Sequence, residues 1–427
     1  MIPVSRIRTP ARYAPAFFIL AWVGAALGAA VGAAIAVVAL SGTAWAALPS
    51  GEETRALWVV RHAITTPGRV DKVVEVAEQV NINTLLVQVR GRGDAYYASD
   101  LAPPAEDMGG APKDFDPLDR IIRRAHAEGM EVHAWINVYL VWSAGAPPRS
   151  ALHAVNAHPD WISVRADGRR LVEMLPQEFQ EERIEGMYLS PGNPDVKRHL
   201  REIVREIVTR YDVDGIHLDY VRYPEPTVGY DGATRTAFER EFGVDPIQID
   251  SPDSTTLAVI GADRIPDLRA RWIQWKRDQV TDLVRSIRSD LDLMGRPLKL
   301  TAAVIADQNA ALNRYLQEWP SWLRDGLVDA AVPMTYSPST PVVERQLRAA
   351  MAIPTKRQVW AGIAIYNEGS RDAADKIRKA RDLGTDGIAL FSYDALLGRA
   401  GYARAIKTWA FREATVPTRM PWRDGGR

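Results

Sequence analysis

Short runs dominated by apolar and β-branched residues alternate along this chain with longer amphipathic stretches. The strand-like runs are 55–61 (RALWVVR), 84–90 (TLLVQVR), 131–138 (EVHAWINV) and 215–221 (GIHLDYV), then 298–305 (LKLTAAVI), 329–336 (DAAVPMTY), 359–366 (VWAGIAIY) and 387–393 (GIALFSY). Between them, RVDKVVEVAEQV, DPLDRIIRRAHAEG and NPDVKRHLREIVREIVTRY carry apolar positions three and four apart, the spacing of one helix face. Asp116-Pro117 and Asn193-Pro194 place a capping residue before a proline suited to the first helical turn. Eight strands with interposed helices predict a (β/α)8 barrel over residues 52–413; a doubly wound sheet is the alternative with the same alternation. Two connections, 139–193 and 222–297, are long, and in a barrel such excursions after strands build the active face. The end of the chain, 414–427 (TVPTRMPWRDGGR from 415), reads as a flexible tail.

The start has a different pattern. Arg6, Arg8 and Arg12 precede a charge-free run from Tyr13 to Gly51, and Ala44-Trp45-Ala46 has the form of a cleavage site. Residues 1–51 therefore read as a signal peptide or, because the apolar run is long enough to span a bilayer, as an N-terminal anchor. Gly24, Gly28 and Gly32 would give such an anchor a small-residue packing face. Either reading puts the rest of the chain outside the cytoplasm: an exported protein, secreted or held at the outer face of the cytoplasmic membrane.

Composition narrows the partners. The 427 residues carry 53 basic and 53 acidic side chains, so no general electrostatic field for nucleic acid exists. Cysteine is absent, which excludes disulfides and thiol catalysis. No phosphate-binding loop, dinucleotide fingerprint or nucleophile elbow follows a strand, and no organic cofactor is implied. The histidines show no metal-binding spacing; His217 and Asp219 share one strand face, and a metal hydrolase using them is the alternative.

Polar groups gather at one end of successive strands. Gln88, Arg90 and Asp94 follow the second; Trp135 and Asn137 end the third; His217, Asp219, Arg222 and Tyr223 mark the fourth. Asp307, Tyr336, Tyr366, Glu368 and Asp394 follow the later ones. Alternation points Ile216, Leu218 and Tyr220 one way and His217 and Asp219 the other, toward the barrel interior, with Arg222 and Tyr223 at the rim. An inward aspartate beside an arginine (Arg90 or Arg222) is held ionised, and beneath a sugar ring an ionised carboxylate serves as nucleophile or stabilises an oxocarbenium ion. Glycoside cleavage also needs a second carboxyl group; Asp307, Glu368 and Asp394 are the candidates, in that order. His217 reads mainly as a core residue.

GIHLDYVRYP at 215–224, with ALWVV, VQVRGRGDAYYAS, VHAWINV, HPDW at 158–161 and WPSWLRDGLVDAAVPMTY, resembles the glycoside-hydrolase-like family related to family 10 over roughly residues 52–400. The resemblance implies a TIM-barrel glycosidase fold in an exported protein, a working carboxylate at Asp219, and Arg90, Asp94, Trp135, Asn137, Arg222 and Tyr336 around a saccharide. Met334 departs from the family pattern, which often has glutamine there. The function expected is hydrolysis of an extracellular or envelope polysaccharide; the competing expectation is a carbohydrate-binding or scaffold protein that keeps the barrel without turnover.

Overall fold

The computed structural model describes residues 51–143 and 145–423. The expected N-terminal signal or anchor lies outside them, and among the described residues no helix is long and apolar enough to cross a membrane.

All eight expected strands form. They are β1 (Thr54–Val59), β2 (Thr84–Arg90), β3 (Glu131–Asn137), β4 (Gly215–Asp219), β5 (Lys299–Ile305), β6 (Ala330–Thr335), β7 (Gln358–Ala364) and β8 (Gly387–Phe391). Each pairs in parallel with its sequence neighbours, and β1 pairs with β8, so the sheet closes into a (β/α)8 TIM barrel and the open-sheet alternative falls. Closure follows from the pattern: strands buried on both faces need helices outside and side chains filling the inside.

Alternation sorts the two faces. Leu57, Leu85, Val87, Ile216 and Leu218 point out into the core shared with the helices, while Ala56, Trp58, Leu86, Trp135, Ala303, Val332, Trp360 and Ala389 fill the barrel interior. The amphipathic stretches appear as helices Pro67–Gln79, Pro117–Ala127 and Pro194–Arg210, and Asp116 and Asn193 cap the last two through their side chains.

Interior fit is tight where Trp58 crosses to β7. A Cβ on Gly362 would stand 2.6 Å from the Pro333 carbonyl oxygen and 3.1 Å from the Trp58 ring. Gly362→Ala is expected to cost about 1–3 kcal/mol through overpacking, read as a lower urea midpoint at unchanged slope.

The two long connections hold structure of their own. The first contains a small antiparallel ribbon, Leu140–Trp142 with Met187–Tyr188. The second contains the 28-residue helix Ile265–Asp292, whose Trp272 and Trp275 form a satellite core with Phe238 and Ile249.

The tail expectation is corrected for residues 414–423. Thr418 exchanges hydrogen bonds with Thr54, its N–H to Thr54 Oγ1 at 3.0 Å and the Thr54 N–H to its Oγ1 at 3.1 Å. Met420 is buried among the interior residues, and the Trp422 indole donates to Asp329 Oδ1 at 2.6 Å. The segment looked loose because its apolar residues follow no period; it crosses the N-terminal end of the barrel as irregular chain, so it buries single anchors rather than a face.

Candidate active site

At the opposite, C-terminal end of the strands lies a cavity of about 240 Å³. Trp58, Trp135, Tyr336 and Phe391 give it aromatic walls, and Arg61, Gln88, Asn137, Asp219, Tyr220 and Arg222 supply its polar groups. The rings meet edge to face, with Trp58 5.9 Å from Phe391 and 6.4 Å from Tyr336 between centroids. Ring walls with a few convergent polar groups suit a sugar, which offers apolar C–H faces and a hydroxyl edge.

Asp219 ends β4 inside this cavity, 7% exposed. One carboxylate oxygen accepts the Tyr220 N–H at 2.7 Å, and the Arg222 guanidinium stands 3.8 Å away. Burial pushes its pKa up to about 6, against the pull of Arg222 and the Tyr220 N–H. Desolvation wins because Arg222 is shared: its Nη2 donates to Glu185 at 3.0 Å. Arg222 is itself buried and held charged, with the Glu185 and Asp219 carboxylates beside it offsetting its desolvation.

The strand does not end as alternation predicts. Tyr220 takes a left-handed backbone conformation, φ 50°, which swings its ring from the expected outward face to the cavity wall. The Arg222 guanidinium then lies over that ring, 4.3 Å from its centroid. For a bulky residue this conformation is costly, and here it sits one position after the buried carboxylate.

Of the other expected site residues, Trp135, Asn137 and Tyr336 line the cavity. Tyr366 is 54% exposed and stands beside Tyr336 as a rim aromatic, 6.3 Å between ring centroids. His217 lies one layer below the floor. Its Nε2 accepts the Trp58 indole N–H at 3.0 Å and its Nδ1 faces Thr301 Oγ1 at 2.8 Å; burial holds its pKa well below the ordinary value. It is the neutral core residue that the sequence favoured.

Several expectations need correction. Arg90 is fully buried away from the cavity, donating to the Asn137 carbonyl at 2.7 Å, and does not pair with Asp219. Asp94 is buried in the following turn, where it accepts the Arg92 N–H at 3.2 Å. Tyr223 is not at the rim. It packs inside the long connection beneath Gly229, where a side chain would meet its ring at 2.7 Å.

None of the three ranked acids reaches the cavity. Asp307 is an exposed helix N-cap that accepts the Ala310 N–H at 2.9 Å. Glu368 is locked to the buried Lys376 ammonium, which also donates to the Ser337 carbonyl at 2.8 Å. Asp394 is exposed in the first turn of the helix Tyr393–Leu397. A residue just past a strand is close to a cap position, and capping is what two of them provide or approach.

The carboxylate that does connect to Asp219 is Glu185, which sequence reasoning missed. It lies in the first long connection beside the ribbon, accepts from Arg222 and, at 2.8 Å, from the Tyr188 hydroxyl, and its charge opposes ionisation of Asp219. No short motif surrounds it; the one available signal was the length of the connection.

Gln88, marked in the sequence as a strand-end polar group, lines the cavity as well. Its Nε2 donates to Asn137 Oδ1 at 3.2 Å and its Oε1 accepts from Arg61 Nη1 at 2.9 Å. Among the described residues no group of three or more histidine and acidic side chains is placed to hold a metal ion.

Barrel, aromatic walls and a buried carboxylate on β4 together define a glycoside hydrolase-type TIM barrel. The chain belongs to the glycosyl hydrolase-like 10 family, whose model matches residues 53–377. It is 25% identical to the glycosyl hydrolase DigH of Escherichia coli (strain K12) over 336 residues, 72% of this chain and 68% of that one. It is 27% identical to the glycosyl hydrolase YngK of Bacillus subtilis (strain 168) over 225 residues, 52% of this chain but 36% of the relative. Among solved structures, the glycoside hydrolase domain of PgaB (BpsB) from Bordetella bronchiseptica superposes with a TM-score of 0.57 at 15% identity, covering 85% of this chain and all of that domain. The catalytic domain of the β-amylase from Paenibacillus polymyxa gives 0.55 at 13% identity, over 86% of this chain and all of that domain. At such identities these likenesses concern the fold.

Proposed function

We propose that this protein hydrolyses glycosidic bonds in an extracellular or cell-envelope polysaccharide, with Asp219 as nucleophile or electrostatic stabiliser and Glu185 as the second carboxylate. The observation that carries the reading is the chain Asp219–Arg222–Glu185, whose first two members line an aromatic cavity. Two acids joined through one guanidinium have different environments here, Asp219 lining the cavity and Glu185 held by the Tyr188 hydroxyl beside the ribbon. Arg222 Nη1, 3.8 Å from the Asp219 carboxylate, and Trp135 Nε1 are buried donors at the cavity without a full hydrogen bond of their own.

The test is release of reducing ends from a panel of envelope and extracellular glycans, wild type beside Glu185→Gln. A loss of about 10²-fold or more in the variant supports the pair, and equal rates sink it. One feature favours a binding-only barrel: Asp219 is the single carboxylate lining the cavity itself among the described residues. Saturable glycan binding without turnover by the wild type would establish that second reading.

Asp219 must be ionised in this mechanism, so activity should rise with pH through an acid limb near 6. Arg222→Gln removes the cation that favours the charged form, and the limb should move upward by about 1 pH unit or more. A limb that stays in place would mean another group titrates.

Export is part of the proposal, supported by the arginine-led apolar N-terminus. Sequencing of the mature terminus decides between processing near Ala47 and a retained anchor.

A further inference from the structure

The segment HPDW, residues 158–161, contributes nothing to the cavity that holds Asp219. It belongs to a second cavity, of about 490 Å³, that shares the turn after β2 with the first: Gly91 lines one and Gly93 the other. Separate segments build this second cavity, and each is tied down. The loop 99–104 is fixed to the helix Pro194–Arg210 by Ser99 Oγ, which donates to Glu206 Oε2 at 2.6 Å, and by the Asp100 N–H, which donates to Glu206 Oε1 at 2.7 Å. The segment 152–161 is fixed by His153 Nε2, which donates to the Arg92 carbonyl oxygen at 2.7 Å, and by the Ser190 N–H, which donates to the Trp161 carbonyl oxygen at 2.9 Å. Walls held in this way exist before any ligand arrives.

The lining has two kinds of group. Trp161 lies flat against His158, 3.7 Å between ring centroids and 8° between planes, and stands 5.2 Å from the His199 ring. Leu101 and Leu152, both exposed, continue this apolar surface. Among the charged residues, Asp195 pairs with Arg198 at 2.8 Å and Asp100 pairs with Arg210. Glu202 and His199, by contrast, have no side-chain hydrogen bond or ion pair among the described residues, and both line the cavity. Burial, reinforced by the Arg90 charge, pushes the His199 pKa down to about 3, so the ring is neutral and offers one donor and one acceptor. Rings beside an unused carboxylate and an unused imidazole match a ligand that is apolar on one face and hydroxylated at its edge. A purely apolar peptide would cover Glu202 and His199 without pairing them, at a cost in free energy.

We infer that this second cavity is a saccharide-holding site, separate from the one that contains Asp219, in which a sugar ring packs against the His158–Trp161 stack and its hydroxyls bond to Glu202 and His199. Because the two cavities share one turn, a glycan chain held in the second is concentrated at the first. The binding does not depend on the hydrolase reading; delivery to the first cavity for cleavage does.

The experiment uses the full chain with isotope-labelled histidine, whose 7 imidazoles are resolved by NMR and assigned from His158→Gln and His199→Gln. The probes are oligosaccharides of β-linked glucose, xylose, mannose and N-acetylglucosamine, with choline as a cationic control. At least one oligosaccharide should move the His158 and His199 signals saturably, with a Kd of about 0.1–1 mM. Glu202→Ala, a substitution that a helix interior tolerates, should weaken that binding by about tenfold, the worth of a hydrogen bond to a charged group. His217, beneath the first cavity, reports a ligand there. Signals of His158 and His199 that no sugar moves, shifts confined to His217, or an affinity unchanged in Glu202→Ala overturn the inference. Saturation by choline while every sugar leaves the two rings unmoved overturns it too, in favour of a cation site. On any polymer that the protein cleaves, Glu202→Ala should raise KM several-fold at unchanged kcat, and an equal KM overturns the delivery role. If no glycan is cleaved, the hydrolase reading fails on its own and the ring titration still decides the site.

Discussion

Asp219→Asn is expected to reduce glycoside hydrolysis by about 10³-fold or more while making the protein more stable at pH 8. The two effects share one cause. The carboxyl is buried and its pKa is raised from 3.8 to about 6, so the folded state binds a proton more readily than the unfolded state does. Stability from this group is therefore present below the unfolded value and falls as pH rises from about 4 to 6, then stays flat. The interval corresponds to about 3 kcal/mol, an upper figure because Arg222 loses a counter-charge in the variant. Asparagine keeps the acceptor for the Tyr220 N–H, held at 2.7 Å in the parent, and removes the charge. The melting temperature should rise at pH 8 and remain close to wild type at pH 4. A variant destabilised equally at both pH values would show that Asp219 is a structural ion-pair member, and one with full activity would remove it from the mechanism.

Asp329→Ala should give the largest loss of stability, about 3–5 kcal/mol. Asp329 precedes β6 at the N-terminal end of the barrel and is fully buried. It accepts the Leu300 N–H at 2.8 Å, Arg288 Nη1 at 3.0 Å, the Trp422 indole at 2.6 Å and Arg423 Nε at 2.7 Å. One carboxylate thus joins two strands, the long helix of the second connection and the C-terminal segment. Alanine would leave the buried Arg288 guanidinium with only Asp292 and would free the segment that closes the barrel. At the entropy typical of a domain this size the melting temperature should drop by roughly 5 °C. Deletion of residues 414–427 should reproduce part of that loss, because it removes two of the four donors and the Met420 anchor. An unchanged melting temperature in both would return these residues to the loose tail that their sequence resembles.

Legibility in the sequence followed the range of the interactions concerned. All eight strands were readable because each is a continuous apolar run bounded by polar turns, and the inward set on β4 was readable because side chains alternate. That rule placed Asp219 and His217 correctly and failed one residue later, where Tyr220 leaves extended geometry. Trp135, Asn137 and Tyr336 were found because strand ends in a barrel converge on one face. Arg90, Asp94 and Tyr223 share those strand ends but turn into the packing of the following loops, which no local pattern records.

The second carboxylate shows the limit most clearly. Asp307, Glu368 and Asp394 were chosen by proximity to a strand, yet they cap, pair or face solvent. Glu185 belongs to a 55-residue connection whose course depends on a two-stranded ribbon, and it meets Asp219 only through Arg222, 37 positions away along the chain. By itself the sequence determined the barrel, the family and one aspartate, since these depend on periodicity and on residues close together. Only the tertiary structure decided which carboxylate is joined to that aspartate and what closes the barrel floor, because each is settled by contacts between segments whose separation leaves no local trace.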